Sequence, residues 1–268
     1  MHISRTARWA LRTFTAFVLA ALYVPLLVII VESLNRSESL SWPPKSFSLK
    51  WWDQVLHQAG PRNALWTSVR TALVATALAL VLGTLASFAV QRYRFFGRET
   101  VSFLVILPIA LPGIVTAIAM RSAFDRAGIE RGFATLVVAH ATFCIVVVFN
   151  NVIARLRRLS PNLEEASADL GADSLQTFRF VTFPLVRSAL LAGGLLAFAL
   201  SFDEIVVTSF TAGNNIETLP QWILNNIFRG KQVPIVNVVA AAVVLLSAVP
   251  VWLAQRFTDG GTGGVSAR

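Results

Sequence analysis

Six stretches of the chain, near residues 14–32, 66–90, 101–120, 133–154, 186–210 and 235–255, are almost unbroken runs of apolar side chains. A helix needs about 20 mainly apolar residues to cross the hydrocarbon of a bilayer, and these runs have that length. Polar–apolar alternation over segments of about ten residues, the mark of a membrane β-barrel, is absent from the sequence. The pattern predicts an all-α integral membrane protein of six transmembrane helices, organised as one domain over residues 1–268. Arg5, Arg8 and Arg12 precede the first run as they would in a signal peptide. The run is longer than an h-region and no small-x-small site follows it, so it reads as an uncleaved span.

Two of the runs carry residues that a plain lipid-facing helix would not. The third, "LVILPIALPGIVTAIAM", contains Pro108 and Pro112. Each proline lacks an N–H and frees the carbonyl four residues earlier, on Leu104 and on Pro108. Irregular backbone at membrane depth survives only where protein or a watery cavity surrounds it. The span is therefore expected to kink, either as a tolerated bend or as a bent helix lining a pathway. The fifth run, "LLAFALSFDEIVVTSF", contains Asp203 and Glu204. A carboxylate at the centre of a span costs about 2.5–3.5 kcal/mol on insertion scales, so both acids must face protein or water. Read as one straight helix, Gly193, Ala197, Ser201, Glu204, Thr208 and Thr211 form a single small-to-polar stripe. Such a stripe serves close helix contact at its small residues. At Ser201, Glu204 and Thr208 it is a candidate substrate pathway, with Asp203 turned about 100° away and able to pair with Arg70.

Composition agrees with the membrane reading: 55% of the residues are hydrophobic and 14% charged, against about 25% charged in soluble domains. The net charge of +9 would suit nucleic acid, but its distribution suits a bilayer. With the N-terminus inside, 13 of the 23 Lys and Arg residues fall on the cytoplasmic side, in the sense of the positive-inside rule. Both termini are expected in the cytoplasm, with lipid rather than nucleic acid as the basic residues' partner. The glycine-rich tail, 257–268, reads as flexible. Between the first two spans, "SWPPKSFSLKWWDQVL" places Phe47 and the Trp51–Trp52 pair either at the membrane interface or in a packed outer helix. Cys144 is the only cysteine, so there is no intramolecular disulfide and no cysteine-based metal cluster. Both Cys144 and His140 read as packed residues of the fourth span.

The longest inner loop, 155–185, has its own order. Ser160 and Pro161 form a helix start. Leu163, Ala166, Ser167 and Leu170 make a small, weakly apolar face, flanked by Glu164, Glu165 and Asp169. Gly171 then stops the helix. Asp173 or Ser174 caps a second helix, carrying Leu175 and Phe178, that is expected to end before Pro184. An acidic flank is repelled by anionic headgroups, so a protein groove suits this loop better than the membrane surface.

The segment "EASADLGADSLQTFRFVTFP" resembles the cytoplasmic signature of bacterial ABC importer permeases. Glu165, Ala166, Gly171 and Pro184 match it in register, while Ser167, Val181 and Phe183 replace the usual Ala, Ile and Leu. The resemblance implies the type I permease architecture, with a coupling helix formed by Glu164, Glu165, Ala166, Ser167, Asp169, Leu170 and Gly171, and Pro184 beyond it. It also implies a second, homologous permease, two cytoplasmic ATPase subunits, an extracytoplasmic solute-binding protein and a place in the bacterial inner membrane. ATP and Mg would be bound by the ATPases, and this chain would hold no cofactor and no metal. The absence of a G-x-x-x-x-G-K-[ST] loop agrees with that division, and no catalytic constellation is evident.

"SFDEIVVTSFTAGNNIETLPQWI", with "LPIALPGIV", is most similar to permeases of spermidine/putrescine importers. For that subgroup Asp203, Glu204, Ser201, Thr208, Pro108 and Pro112 would line the path of a cationic solute. Relatives that move iron(III), phosphonates or amino-acid derivatives share the architecture and form the alternative. A secondary transporter with a proton site at the acids is disfavoured by the coupling-type loop and by the lack of an inverted repeat.

Overall fold

The computed structural model describes residues 4–38, 42–160 and 162–259, and Pro161 and residues 260–268 of the expected tail lie outside them. Among the described residues the regular structure is helical, apart from one isolated antiparallel bridge between Asn35 and Phe47. Five helices are long and apolar enough to cross a membrane, and one sharply bent pair makes a sixth crossing if taken as a single span. The contacts divide the chain into two compact units. One comprises residues up to Arg62 together with those from Trp222 onward, and the other Asn63–Gln221.

In the first unit, α1 (Arg5–Glu32) packs with α12 (Val233–Asp259), and α12 also packs with the short α2 (Lys50–His57). Ser4 starts α1 by accepting the Ala7 N–H at 3.2 Å, as a hydroxyl N-cap does. Of the aromatic residues between the first two spans, Trp51 takes the packed-helix alternative, Trp52 is half-buried and Phe47 stays exposed. Trp51 on α2 is buried, its Nε1–H donates to the Asn35 carbonyl at 3.0 Å, and Asn35 Nδ2 donates to Glu32 Oε2 at 3.0 Å.

The second unit holds most of α3 (Ala59–Arg92) and then α4 (Arg98–Ala110), α5 (Gly113–Arg126) and α6 (Phe133–Leu156). The inner loop supplies α7 (Asn162–Asp169) and α8 (Ser174–Thr177). After them come α9 (Phe183–Phe202), α10 (Val206–Thr211) and the start of α11 (Leu219–Asn226). α6 is apolar on all sides and forms the centre: 67% of its apolar stretch is buried, against 28% for α3. That is the expected site for a helix without a polar face. Its Ala139, Phe143, Cys144, Val148 and Val152 make one core with Ala79, Ala117, Val186, Ala197 and Val207.

One expectation about continuity is exceeded and two are corrected. The third span does more than kink: α4 and α5 meet at 108°. Leu111 N–H makes the last bond of α4, to Leu107 O. Pro112 has no N–H to continue the ladder, and its carbonyl accepts from Val115 N–H to begin α5. Leu111 is held extended, as a residue before proline prefers. The fifth span is not straight either; it stops at Phe202 and resumes at Val206. Finally, the second loop helix does not end before Pro184. It passes through a π-helical turn, Phe178–Thr182, into α9, with Phe183 N–H bonded to Phe178 O. The wider turn accommodates a proline that an unbroken α-helix would exclude.

Candidate functional site

The small-to-polar stripe of the fifth span packs along α6, and the contacts explain its composition. A Cβ on Gly193 would lie 3.3 Å from Val148 Cα and Asn151 Cβ, a contact tight enough that a larger residue asks α6 to give by a few tenths of an ångström. One turn on, Cys144 Sγ donates to the Ala197 carbonyl at 3.3 Å. Next, His140 places Nδ1 2.8 Å from Ser201 Oγ and Nε2 2.9 Å from Thr208 Oγ1. Thr135 Oγ1 completes the series with a 2.9 Å bond to Thr211 O. Ser201, Thr208, Thr211 and His140 are all buried. The stripe is thus the seam by which α9 and α10 close on α6.

Within that seam the break at Asp203–Ile205 is held from both sides. Glu204 Oε1 accepts the Val207 N–H at 2.8 Å, capping α10, and Thr208 Oγ1 donates to the Glu204 carbonyl at 2.7 Å. Since the Thr208 proton is used there, the arrangement closes with His140 Nε2–H donating to Thr208 and Nδ1 accepting from Ser201. His140 therefore clamps the last turn of α9 to the first of α10, across the break that carries the acids. Asp203 is exposed and Glu204 half-buried. Arg70 forms no ion pair with Asp203 among the described residues; its guanidinium lies over the Phe133 ring, 4.9 Å from the centroid. Pro108 is half-buried in α4, and Pro112 is exposed at the start of α5. α5 packs on α10, with Ala117 and Val207 in the shared core, so the two breaks belong to neighbouring elements.

The residues of the inner loop divide between two surfaces. Gly171 adopts φ +84° with open space around it, and Ala172 N–H reaches back to Ser167 O, so α7 ends as a glycine-terminated helix does. Asp173 and Gln176 cap α8 reciprocally, at 2.8 and 2.9 Å. Glu165, Ala166 and Asp169 are exposed, as are the apolar Leu163, Leu170 and Leu175. Ser167 and Glu164 turn inward: Ser167 Oγ lies 3.0 Å from Thr177 Oγ1, and Glu164 pairs with Arg92 at the end of α3. No pattern in the sequence pointed to the roles of Arg92, Thr182 or His140. The one available signal for His140 was a lone imidazole on an apolar span whose facing stripe offers two hydroxyls. Among the described residues no group of three or more His, Cys, Asp or Glu is placed to hold a metal ion.

The helices long enough to cross a membrane and the broken third and fifth spans define a polytopic helical membrane protein, and the comparison with known proteins gives its class. Residues 76–259 match the family described as binding-protein-dependent transport system inner membrane component, and the chain belongs to that family. It is 35% identical over 254 residues to the spermidine/putrescine transport system permease protein PotC of Haemophilus influenzae, covering 94% of this chain and 98% of the relative. To the Escherichia coli K12 PotC it is 34% identical over 257 residues, covering 94% and 96%. The putrescine transport system permease protein PotI of Escherichia coli K12 is 33% identical over 236 residues, with 85% and 82% covered. In fold it is similar to a crystal structure of a bacterial ABC transporter involved in the import of the acidic polysaccharide alginate. That match has a TM-score of 0.68 at 18% identity and covers 97% of this chain and 99% of the other. The architecture is that of a type I ABC importer permease.

Proposed function

We propose that this chain is the permease subunit of an ATP-driven importer of polyamines such as putrescine and spermidine. The observation that carries the reading is the pair Asp203–Glu204, set where the helix is broken rather than inside a regular span. Carboxylates at a break can replace water around ammonium groups. Relatives named for spermidine and putrescine transport, similar over nearly the whole chain, support the same substrate class. Pro108, Pro112, Ser201 and Thr208 belong to this pathway as shapers of the two breaks. The working assembly is this chain with a second permease, two ATPase subunits that bind ATP and Mg, and an extracytoplasmic binding protein. It sits in the inner membrane with both termini in the cytoplasm, and α7 seats in the ATPase through Glu165, Ala166, Asp169 and Leu170.

The test is uptake of labelled spermidine and putrescine by cells carrying the full transporter, with and without this subunit and with and without the ATPase. Uptake that needs both, and that unlabelled polyamines suppress while amino acids and phosphonates do not, is the expected result. Subunit-dependent uptake of iron(III) or a phosphonate instead would keep the importer and reject the polyamine. Uptake that survives loss of the ATPase would reject energy coupling through α7.

A further inference from the structure

Glu164 and Glu165 are neighbours on α7, and side chains one position apart on a helix point about 100° away from each other. One partner cannot hold both. Glu165 is exposed, whereas the Glu164 side chain retains only 23% exposure because it is engaged inside the chain. The Arg92 guanidinium meets it as a fork, Nη1 to Oε2 and Nη2 to Oε1. Thr182 Oγ1, on a buried residue, donates to the same Oε1 at 2.6 Å. A two-pronged guanidinium–carboxylate pair fixes direction as well as distance.

The three residues stand on three different elements. Arg92 is the last residue of α3, Glu164 lies in the first turn of α7, and Thr182 closes the π-helical turn that opens into α9. Aromatic packing surrounds the polar contact. Arg92 lies over Phe88 at 5.6 Å, Phe88 meets Phe178 edge-on at 5.7 Å, and Phe178 packs against Phe183 at 6.1 Å. An eight-residue helix has little stability of its own, so its anchors set where α7 stands. The covalent route from α7 to α9 runs through the left-handed Gly171. No short covalent route joins α7 to α3, since Arg92 and Glu164 are 72 positions apart.

We propose that Arg92, Glu164 and Thr182 are positioning residues forming the mechanical link by which α7 moves the inner ends of α3 and α9 together. Glu164 then serves its own chain and not the ATPase. This rests on the reading of α7 as the element that takes up ATPase motion.

The experiment uses the full transporter in proteoliposomes and reads spermidine moved per ATP hydrolysed. Arg92→Glu and Glu164→Arg each place like charges together, and each should lower that ratio about tenfold, a usual size for coupling between sites. The double exchange restores an opposite pair and should recover most of the loss, which independent effects of the two substitutions would not do. Single variants equal to wild type, or a double exchange no better than either, would overturn the link. If charge reversal prevents assembly, Thr182→Val carries the test. It keeps the shape and loses one hydrogen bond, and should lower the ratio about threefold; an unchanged ratio there overturns the proposal. Wild-type transporter whose spermidine movement does not depend on ATP would overturn the coupling reading itself, whereas one that moves another solute with ATP rejects only the polyamine, and the same ratio is then read with that solute.

Discussion

At the scale of single residues, Glu204 has two duties that substitution can separate. Its Oε1 accepts the Val207 N–H and so starts α10, and its charge is the feature proposed to attract an ammonium group. Glu204→Gln keeps an acceptor in place and removes the charge; Glu204→Ala removes both. Loss of a capping acceptor costs about 1 kcal/mol. The expected outcome is that both variants lose polyamine uptake, while only the alanine variant also lowers the thermal stability of the purified complex. Equal uptake by wild type and Glu204→Gln would remove the carboxylate from the pathway. The acids were legible in the sequence because a charge in an apolar run has no neutral explanation. His140 was legible only as a buried residue. What it does depends on Ser201 and Thr208, 61 and 68 positions away, and no local pattern encodes a clamp of that separation.

At the scale of elements, the sequence located each apolar run and missed how two of them break. The break at Asp203–Ile205 contains neither proline nor glycine, and the 3.6-residue period runs through it undisturbed. Its cause is side-chain competition for the backbone, with Glu204 capping α10 and Thr208 bonding the Glu204 carbonyl. An acidic pair ahead of a β-branched run was the available N-cap signal. The inner loop was more readable because its signals are local: Gly171 has the left-handed φ that a glycine stop predicts, and Asp173 caps α8. That geometry also predicts a variant. Proline fixes φ near −65°, against the observed +84°, so Gly171→Pro must reshape the turn after α7. In reconstituted transporter this variant is expected to keep ATP hydrolysis and lose spermidine uptake, both measured in the same vesicles. Normal uptake per ATP would mean that the turn transmits nothing.

At the scale of the whole molecule, the distribution of Lys and Arg and the exposed residues of the inner loop ask for one orientation in the bilayer. Leu163, Leu170 and Leu175 are exposed on the loop between the fourth and fifth spans, and the ATPase seat proposed there requires that loop to lie in the cytoplasm. Orientation can be read without first removing a native thiol, because Cys144, the chain's only cysteine, is buried in α6. Phe96, fully exposed between α3 and α4, and Asn214, exposed after α10, suit single cysteines on opposite sides of the membrane. In cells with a permeabilised outer membrane, an impermeant maleimide should label Asn214→Cys at once. It should label Phe96→Cys only after the inner membrane is opened. The reverse order would place the coupling-type loop outside, away from any ATP, and the energy-coupled import reading would fail with it. Labelling in the expected order puts Asp203 and Glu204, which precede Asn214 on the same outward-running segment, nearer the face from which a binding protein delivers its solute.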